Sequence, residues 1–218
     1  MVFNLLQKEL TLEIRRKSVL AGLIIYLVSI SFICYLTFSL KQNQITPLVW
    51  SALFWIALLF TAVNTVAKSF IGEKKGAEIY LYSIAHPEAL ITAKILYNFL
   101  VIGVLSFLCV TLFFLFLNNP IEDYFVFTLL IILMAFSFAS SLTLLSSIAA
   151  KANNSNILMA VLSFPILISI LLLAVKVTKN CIDGLEFDAS ADELTVLLAI
   201  NCLLGASSFL LFPYIWRS

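Results

Sequence analysis

Six apolar stretches, each roughly 20 residues long, dominate this chain of 218 residues. A helix rises about 1.5 Å per residue, so about 20 apolar residues are enough to cross the hydrocarbon core of a bilayer. Backbone polar groups find no water there, and each crossing segment is therefore expected to be helical. Only 11% of the residues are charged, which is too few to cover the surface of a soluble domain of this size. The sequence predicts an all-α membrane protein.

The six transmembrane helices are predicted at residues 19–40, 48–67, 95–117, 124–149, 157–176 and 194–216. Together with the segments between them they form a single transmembrane domain over residues 1–218. Residues 1–18 show a different pattern, with apolar residues at spacings of three and four and polar residues between them. That pattern is typical of an amphipathic helix at the membrane surface. Two roles stay open for it: an anchor with no other task, or an elbow helix that also contacts a cytosolic partner. Its apolar positions are Phe3, Leu6, Leu10 and Ile14.

Positive charge is distributed unevenly between the two ends of the spans. With an even number of spans both termini lie on one side, together with residues 68–94 and 150–156. That side carries ten of the thirteen Lys and Arg residues, whereas the other carries Lys41, Lys176 and Lys179. Short flanks rich in Lys and Arg are normally cytoplasmic. We expect a multi-pass membrane protein with its N and C termini in the cytoplasm.

Four aromatic residues near span ends fit the positions of interfacial anchors, where an amphipathic ring meets the headgroups. For Trp55 a simple lipid-facing position is an equal alternative. The four residues are Trp50, Trp55, Tyr214 and Trp216.

The longest cytoplasmic segment, residues 68–94, is the predicted coupling loop. Ile79, Tyr80 and Ile84 give it apolar bulk. Pro87 followed by Glu88 is typical of the start of a helix, here one that runs into the third span. A structured, charged loop of this kind suits the docking of a soluble partner. Its candidate partner-coupling residues are Glu73, Lys74, Lys75, Glu78, Tyr80, His86 and Pro87.

Several kinds of functional site are missing from the sequence. No Asp, Glu, Lys, Arg or His lies near the middle of a predicted span, which argues against an ion-coupled carrier. No G-x-x-x-x-G-K-[ST] phosphate loop occurs, so any ATP must be hydrolysed by another subunit. The four cysteines form no C-x-x-C pair, and His86 has no second ligand beside it. We predict no catalytic, cofactor-binding or metal-binding residue, and a net charge of +1 implies no nucleic acid partner.

The fourth span carries a face of small residues, with Ala135, Ala139, Thr143 and Ser147 at every fourth position. Small residues let the backbones of transmembrane helices approach closely. Close helix packing is the favoured interpretation of this face, and the lining of a polar substrate path is the alternative.

With an interfacial helix, six spans and a structured loop after the second, the chain resembles the membrane subunits of ABC-2-type transporters. Within them it is most similar to the haem exporter protein B family (CcmB). Four short stretches carry the resemblance: an opening with basic, acidic and leucine residues, a Phe-Gly-Glu loop, a Pro followed by Ala-Lys at the third span, and a Phe-Pro pair in the fifth. They lie at Lys8–Arg16, Phe70–Glu78, Pro87–Lys94 and Phe164–Ile168.

The resemblance implies a permease-like, non-catalytic subunit that pairs with a cytosolic ABC ATPase subunit and uses ATP only through that partner. It further implies a homodimer within a larger complex of the bacterial cytoplasmic (inner) membrane, surrounded by membrane lipid, with a haem-handling membrane protein and a haem chaperone as partners. Haem is its possible substrate. Such a complex couples ATP hydrolysis to haem delivery, or to release of the haem chaperone on the periplasmic side, in cytochrome c biogenesis.

Two other functions stay open at this point. One is an ABC-2-type efflux permease that exports a lipid, a polysaccharide or a drug. The other is a membrane scaffold without a transport role.

Overall fold

The computed structural model of the protein describes residues 1–15, 17–41, 45–66, 70, 86–151 and 155–217. Over these ranges the chain forms helices and no strand. Six of the helices are long and apolar enough to cross a membrane. The predicted all-α membrane fold, six spans preceded by an N-terminal helix, is confirmed. The helices are α1 (Val2–Arg15), α2 (Lys17–Lys41), α3 (Pro47–Val66), α4 (Pro87–Leu117), α5 (Tyr124–Ala149), α6 (Ser155–Ile182) and α7 (Asp188–Arg217).

Three helices extend at one end by six or more residues beyond the apolar stretches that predicted them. α4 begins at Pro87, where the Pro-Glu signal placed a helix start, so residues 87–94 of the predicted loop belong to the third spanning helix. α6 continues to Ile182 beyond the predicted end at 176, and α7 begins at Asp188 before the predicted start at 194. Polar residues in these extensions weaken the hydropathy signal but do not oppose helix formation, because helical propensity does not require apolar side chains.

The helices alternate in direction, so the connections gather at two ends of the bundle. We call one the basic end; it carries the N-terminus, the α3–α4 and α5–α6 connections and the end of α7. The opposite, acidic end carries the α2–α3, α4–α5 and α6–α7 connections. There the backbone N–H groups of Glu122 and Asp123 donate to the carbonyl oxygen of Cys181, at 3.0 and 3.2 Å. The side chain of Asn180 donates to the Ser190 hydroxyl, at 3.0 Å. These bonds hold α5, α6 and α7 together at the acidic end.

Helix α5 lies at the centre of the bundle and packs against α3, α4, α6 and α7. Its four small residues at every fourth position are all buried. Polar contacts cross to both sides of it: Asn98 on α4 donates to the Thr143 hydroxyl at 2.7 Å, and the Ser137 hydroxyl donates to Asn201 on α7 at 2.5 Å. The structure thus uses this face for close packing.

The predicted interfacial position of Trp50 and Trp55 is wrong. Both indoles are buried, at 2% and 1% exposure, and lie inside the bundle rather than at a lipid surface. Trp50 stacks on Phe54 with ring centroids 5.4 Å apart and meets Phe113 edge to face at 5.7 Å. These aromatic contacts form a core near the acidic end. Tyr214 is 78% exposed, and the side chain of Trp216 lies outside the described part of the chain.

Candidate functional site

Four helices meet at the basic end in a small apolar cluster that is separate from the main core. It lies where α1, α4, α5 and α7 converge on the connection between α3 and α4. We call this cluster, together with the charged pair beside it described below, the junction. Its buried apolar members are Phe70, Leu90, Ile91, Ile95 and Phe212, with Leu5, Phe136 and Ala150 partly buried against them.

Phe70 joins three of these helices. Its backbone N–H donates to the Ser146 hydroxyl on α5, at 3.3 Å. Its ring packs on Phe212 of α7, with centroids 5.4 Å apart. The ammonium of Lys94 on α4 lies 4.6 Å from the centre of the same ring, within the range of a cation–π contact. A displacement of Phe70 therefore changes contacts on α4, α5 and α7 at once.

Lys94 is a buried cation in the first part of a spanning helix. Its side chain is 2% exposed, and its Nζ lies 3.7 Å from Oε1 of Glu9 on α1. Pro87 begins the helix, so Lys94 lies roughly 10 Å along the axis at about 1.5 Å per residue. A buried ammonium is costly unless charges or oriented groups compensate it. Glu9 and the face of the Phe70 ring supply compensation of this kind.

Helix α1 packs mainly against α4 through a face that the apolar pattern only partly revealed. The predicted stripe began at Phe3, yet Phe3 is 72% exposed. The partly buried positions instead recur at spacings of three and four and include a carboxylate. Glu9 thus occupies the side of α1 that meets the bundle, where it reaches Lys94. These positions are Val2, Leu5, Leu6, Glu9 and Leu10.

Of the seven predicted coupling residues, two fall on described residues and mark the start of α4. The His86 carbonyl oxygen accepts hydrogen bonds from the N–H groups of Ala89 and Leu90, both at 3.1 Å. Its exposed imidazole makes no capping bond, and Pro87 is the first residue of the helix. His86 therefore directly precedes, and Pro87 begins, the helix that carries Lys94. The other five, Glu73, Lys74, Lys75, Glu78 and Tyr80, lie outside the described residues.

Glu9, Phe70 and Lys94 were not among the predicted site residues. The sequence places Lys94 at the end of the predicted loop, because the apolar stretch of the third span begins at the next residue. A signal for Glu9 was present: it follows Leu5 and Leu6 by four and three residues, which places it on the apolar side of α1. A charge in that position needs a partner, and Lys94 is the partner that the fold provides.

A second feature is an apolar groove between α4 and α5, in the half of the bundle nearer the acidic end. Its volume is about 350 Å³, and it opens on the outer surface, where Phe107 is 75% exposed. Aromatic rings dominate its lining: Phe99, Phe107, Phe114, Tyr124 and Phe127.

Within the described ranges no group of three or more His, Cys, Asp or Glu residues is placed to hold a metal ion. The contacts of the junction are ionic, aromatic and apolar, and such contacts hold helices in position. The arrangement is therefore suited to mechanical coupling between a connection and three spanning helices.

Comparison with protein families matches residues 1–213 to the family described as CcmB protein. The match includes α1, the α3–α4 connection, the first five spanning helices and α7 as far as residue 213. A search of curated proteins finds no match.

Proposed function

The chain belongs to the CcmB protein family, and we propose that it is the membrane subunit of a haem exporter ABC complex that uses a partner's ATP hydrolysis for cytochrome c maturation. The family match over residues 1–213 is the observation that carries this proposal. The sequence contains no phosphate loop, so the energy comes from a cytosolic ABC ATPase subunit.

The ATPase docks at the basic end, against the loop that connects α3 to α4. The excess of Lys and Arg on that side supports a cytoplasmic location for the loop and for both termini. His86 and Pro87 begin α4, so a force applied to the loop acts directly on a rigid helix of 31 residues. Through Phe70 the same force reaches α5 and α7. The proposed task of the loop is to convert ATPase movement into movement of the spans.

Haem is the proposed substrate of the complex, and this subunit transmits motion rather than binding haem through a protein ligand. The motion drives haem delivery, or release of the haem chaperone, at the acidic end, which is periplasmic in the proposed topology. A haem-handling membrane protein and the haem chaperone are the proposed partners there. The subunit works in the inner membrane as a homodimer with its ATPase partners.

Purification of the affinity-tagged chain from mild detergent tests the proposal. We expect an ATPase subunit to copurify at about one copy per chain, with hydrolysis in the complex and none in the isolated chain. In a matched control the phosphate-loop lysine of the partner is replaced, which inactivates the partner. Any hydrolysis that remains in this control measures the activity of contaminants. Hydrolysis by the isolated chain, or absence of any ATPase from the purified material, contradicts the proposal.

The groove between α4 and α5 favours a second candidate, an efflux permease for a lipid or another apolar compound. An aromatic groove of about 350 Å³ that opens on the outer surface accepts such a molecule from the bilayer. Replacement of Phe107 by Ala separates the two candidates, because Phe107 lines the groove and lies far along α4 from the junction. Loss of export without loss of c-type cytochromes supports the second candidate.

A further inference from the structure

The N-terminal helix α1 is attached to the bundle by a charged pair. Oε1 of Glu9 lies 3.7 Å from Nζ of Lys94, and the two side chains are 15% and 2% exposed. Little water therefore competes with the attraction between them. Removal of one charge leaves the other buried without this partner, which is much more costly than the loss of a surface ion pair.

The same ammonium lies over the ring of Phe70, which belongs to the connection between α3 and α4. A cation–π contact is stronger when both groups are removed from water, as Lys94 and Phe70 are. Lys94 thus touches α1 through Glu9 and the loop connection through Phe70.

We infer that Lys94 is a positioning residue that makes α1 move together with the α3–α4 loop during the ATPase cycle. This inference rests on the proposed function and gives α1 a part in coupling, beyond that of a membrane anchor. When the loop moves Phe70 away from Lys94, the ammonium loses its cation–π contact with the ring, and that loss is costly for a buried cation. Lys94 and Glu9 therefore follow Phe70, and α1 follows Glu9. Packed junctions of this type switch between discrete arrangements instead of deforming gradually.

Lys8 provides a matched control on the same helix. Its Nζ lies 3.4 Å from the same oxygen of Glu9, but its side chain is 42% exposed. An exposed pair contributes little, because water and salt screen it. Loss of the Lys8 charge should therefore leave coupling unchanged, although it removes a neighbour of Glu9.

The test uses the full complex of this chain with its ATPase, reconstituted in lipid nanodiscs, and cells that carry the same variants at equal complex levels. Two quantities are measured: the ATPase rate of the complex and the amount of c-type cytochrome in the cells. We expect Lys94→Met and Glu9→Gln to lower cytochrome output relative to ATPase rate by about fivefold or more, the lower range for coupling between sites. Lys8→Gln should leave the ratio unchanged.

An unchanged ratio in Lys94→Met and Glu9→Gln, or an equal loss in Lys8→Gln, overturns the inference. If Lys94→Met fails to accumulate, Glu9→Gln compared with Lys8→Gln decides in its place. A merely structural role for Lys94 predicts that ATPase rate and cytochrome output fall together with the amount of complex. If no ATPase copurifies with the unaltered chain, the proposed function fails. If the ATPase copurifies but the charge variants keep the ratio of the unaltered chain, this inference alone fails.

Discussion

The indole Nε1 of Trp55 donates a hydrogen bond to the hydroxyl oxygen of Thr178, 2.8 Å away inside the bundle. Trp55 belongs to α3 and Thr178 to α6, and both side chains are buried. The Thr178 hydroxyl itself donates to the carbonyl oxygen of Ala174, at 2.7 Å. The bond therefore joins two helices that are far apart in sequence and satisfies a polar atom that has no access to water.

Thr178→Val should destabilise the protein, because valine keeps the shape of threonine but cannot accept the indole hydrogen bond. We expect a loss of about 0.6 to 2 kcal/mol, between the average for interhelical bonds in membranes and the cost of an unpaired buried donor. Thermal unfolding in detergent measures it. Thr111→Val is the control, since Thr111 is exposed and its hydroxyl bonds to Phe107 of its own helix. Equal effects of the two changes would contradict the role of the interhelical bond.

Gly184 lies near the start of the connection between α6 and α7, in a backbone conformation that only glycine adopts easily, with φ of +65°. A methyl group at this position would also collide with the side chain of Glu122. Gly184→Ala should cost about 1 to 2 kcal/mol from the left-handed backbone alone, measured as a lower melting temperature. Gly205→Ala, on α7 with open space around the added carbon, should be neutral or stabilising. A melting temperature for Gly184→Ala equal to that of the unaltered protein would refute the argument.

The proposed topology follows from the division of positive charge and is open to cysteine labelling. In a variant without the native cysteines at 34, 109, 181 and 202, new cysteines replace Lys75, Lys151 or Asp188. The first two should react only with reagent on the cytoplasmic side, and the third only from outside, because the Lys and Arg excess fixes the inner side. Reversed labelling at any two of these positions would exclude the topology.

The loop between α3 and α4 should bind the ATPase more through apolar contacts than through single charges. A rim charge pair contributes less than about 1 kcal/mol, whereas a buried aromatic anchor contributes more. Tyr80→Ala should therefore weaken copurification of the ATPase more than Glu73→Lys or Glu78→Lys alone. The two charge reversals together should weaken association or uncouple hydrolysis, while membrane insertion stays normal. Full association and full cytochrome c assembly in a variant that combines Tyr80→Ala, Glu73→Lys and Glu78→Lys would show that the loop is only a connector.

The number and order of the spanning helices could be predicted from the sequence, because the bilayer imposes a length and a composition on every segment that crosses it. The faces of those helices could not. Lipid and bundle interior are both apolar, so the sequence around Trp50 and Trp55 gives no sign of which side faces protein. Their burial becomes visible only once Phe54, Phe113 and Thr178 are seen around them.

The junction could not be predicted from the sequence for a related reason. Lys94 directly precedes the apolar stretch of the third span, so hydropathy places it in the loop, although α4 begins seven residues earlier at Pro87. Hydropathy measures a segment and not a contact, so it cannot show that Glu9, from a separate helix, compensates this charge. The position of Glu9 among the leucines of α1 is the one local sign of the pair.

Deletion of the gene for this chain, followed by haem staining of the membrane and periplasmic proteins, tests the proposed role in cytochrome c maturation. Loss of covalently bound haem from all c-type cytochromes, restored by the unaltered chain, is the predicted result. The apocytochromes should still be synthesised and exported, because the defect lies in haem attachment. Normal amounts of c-type cytochromes in the deletion strain would contradict the proposed role in cytochrome c maturation.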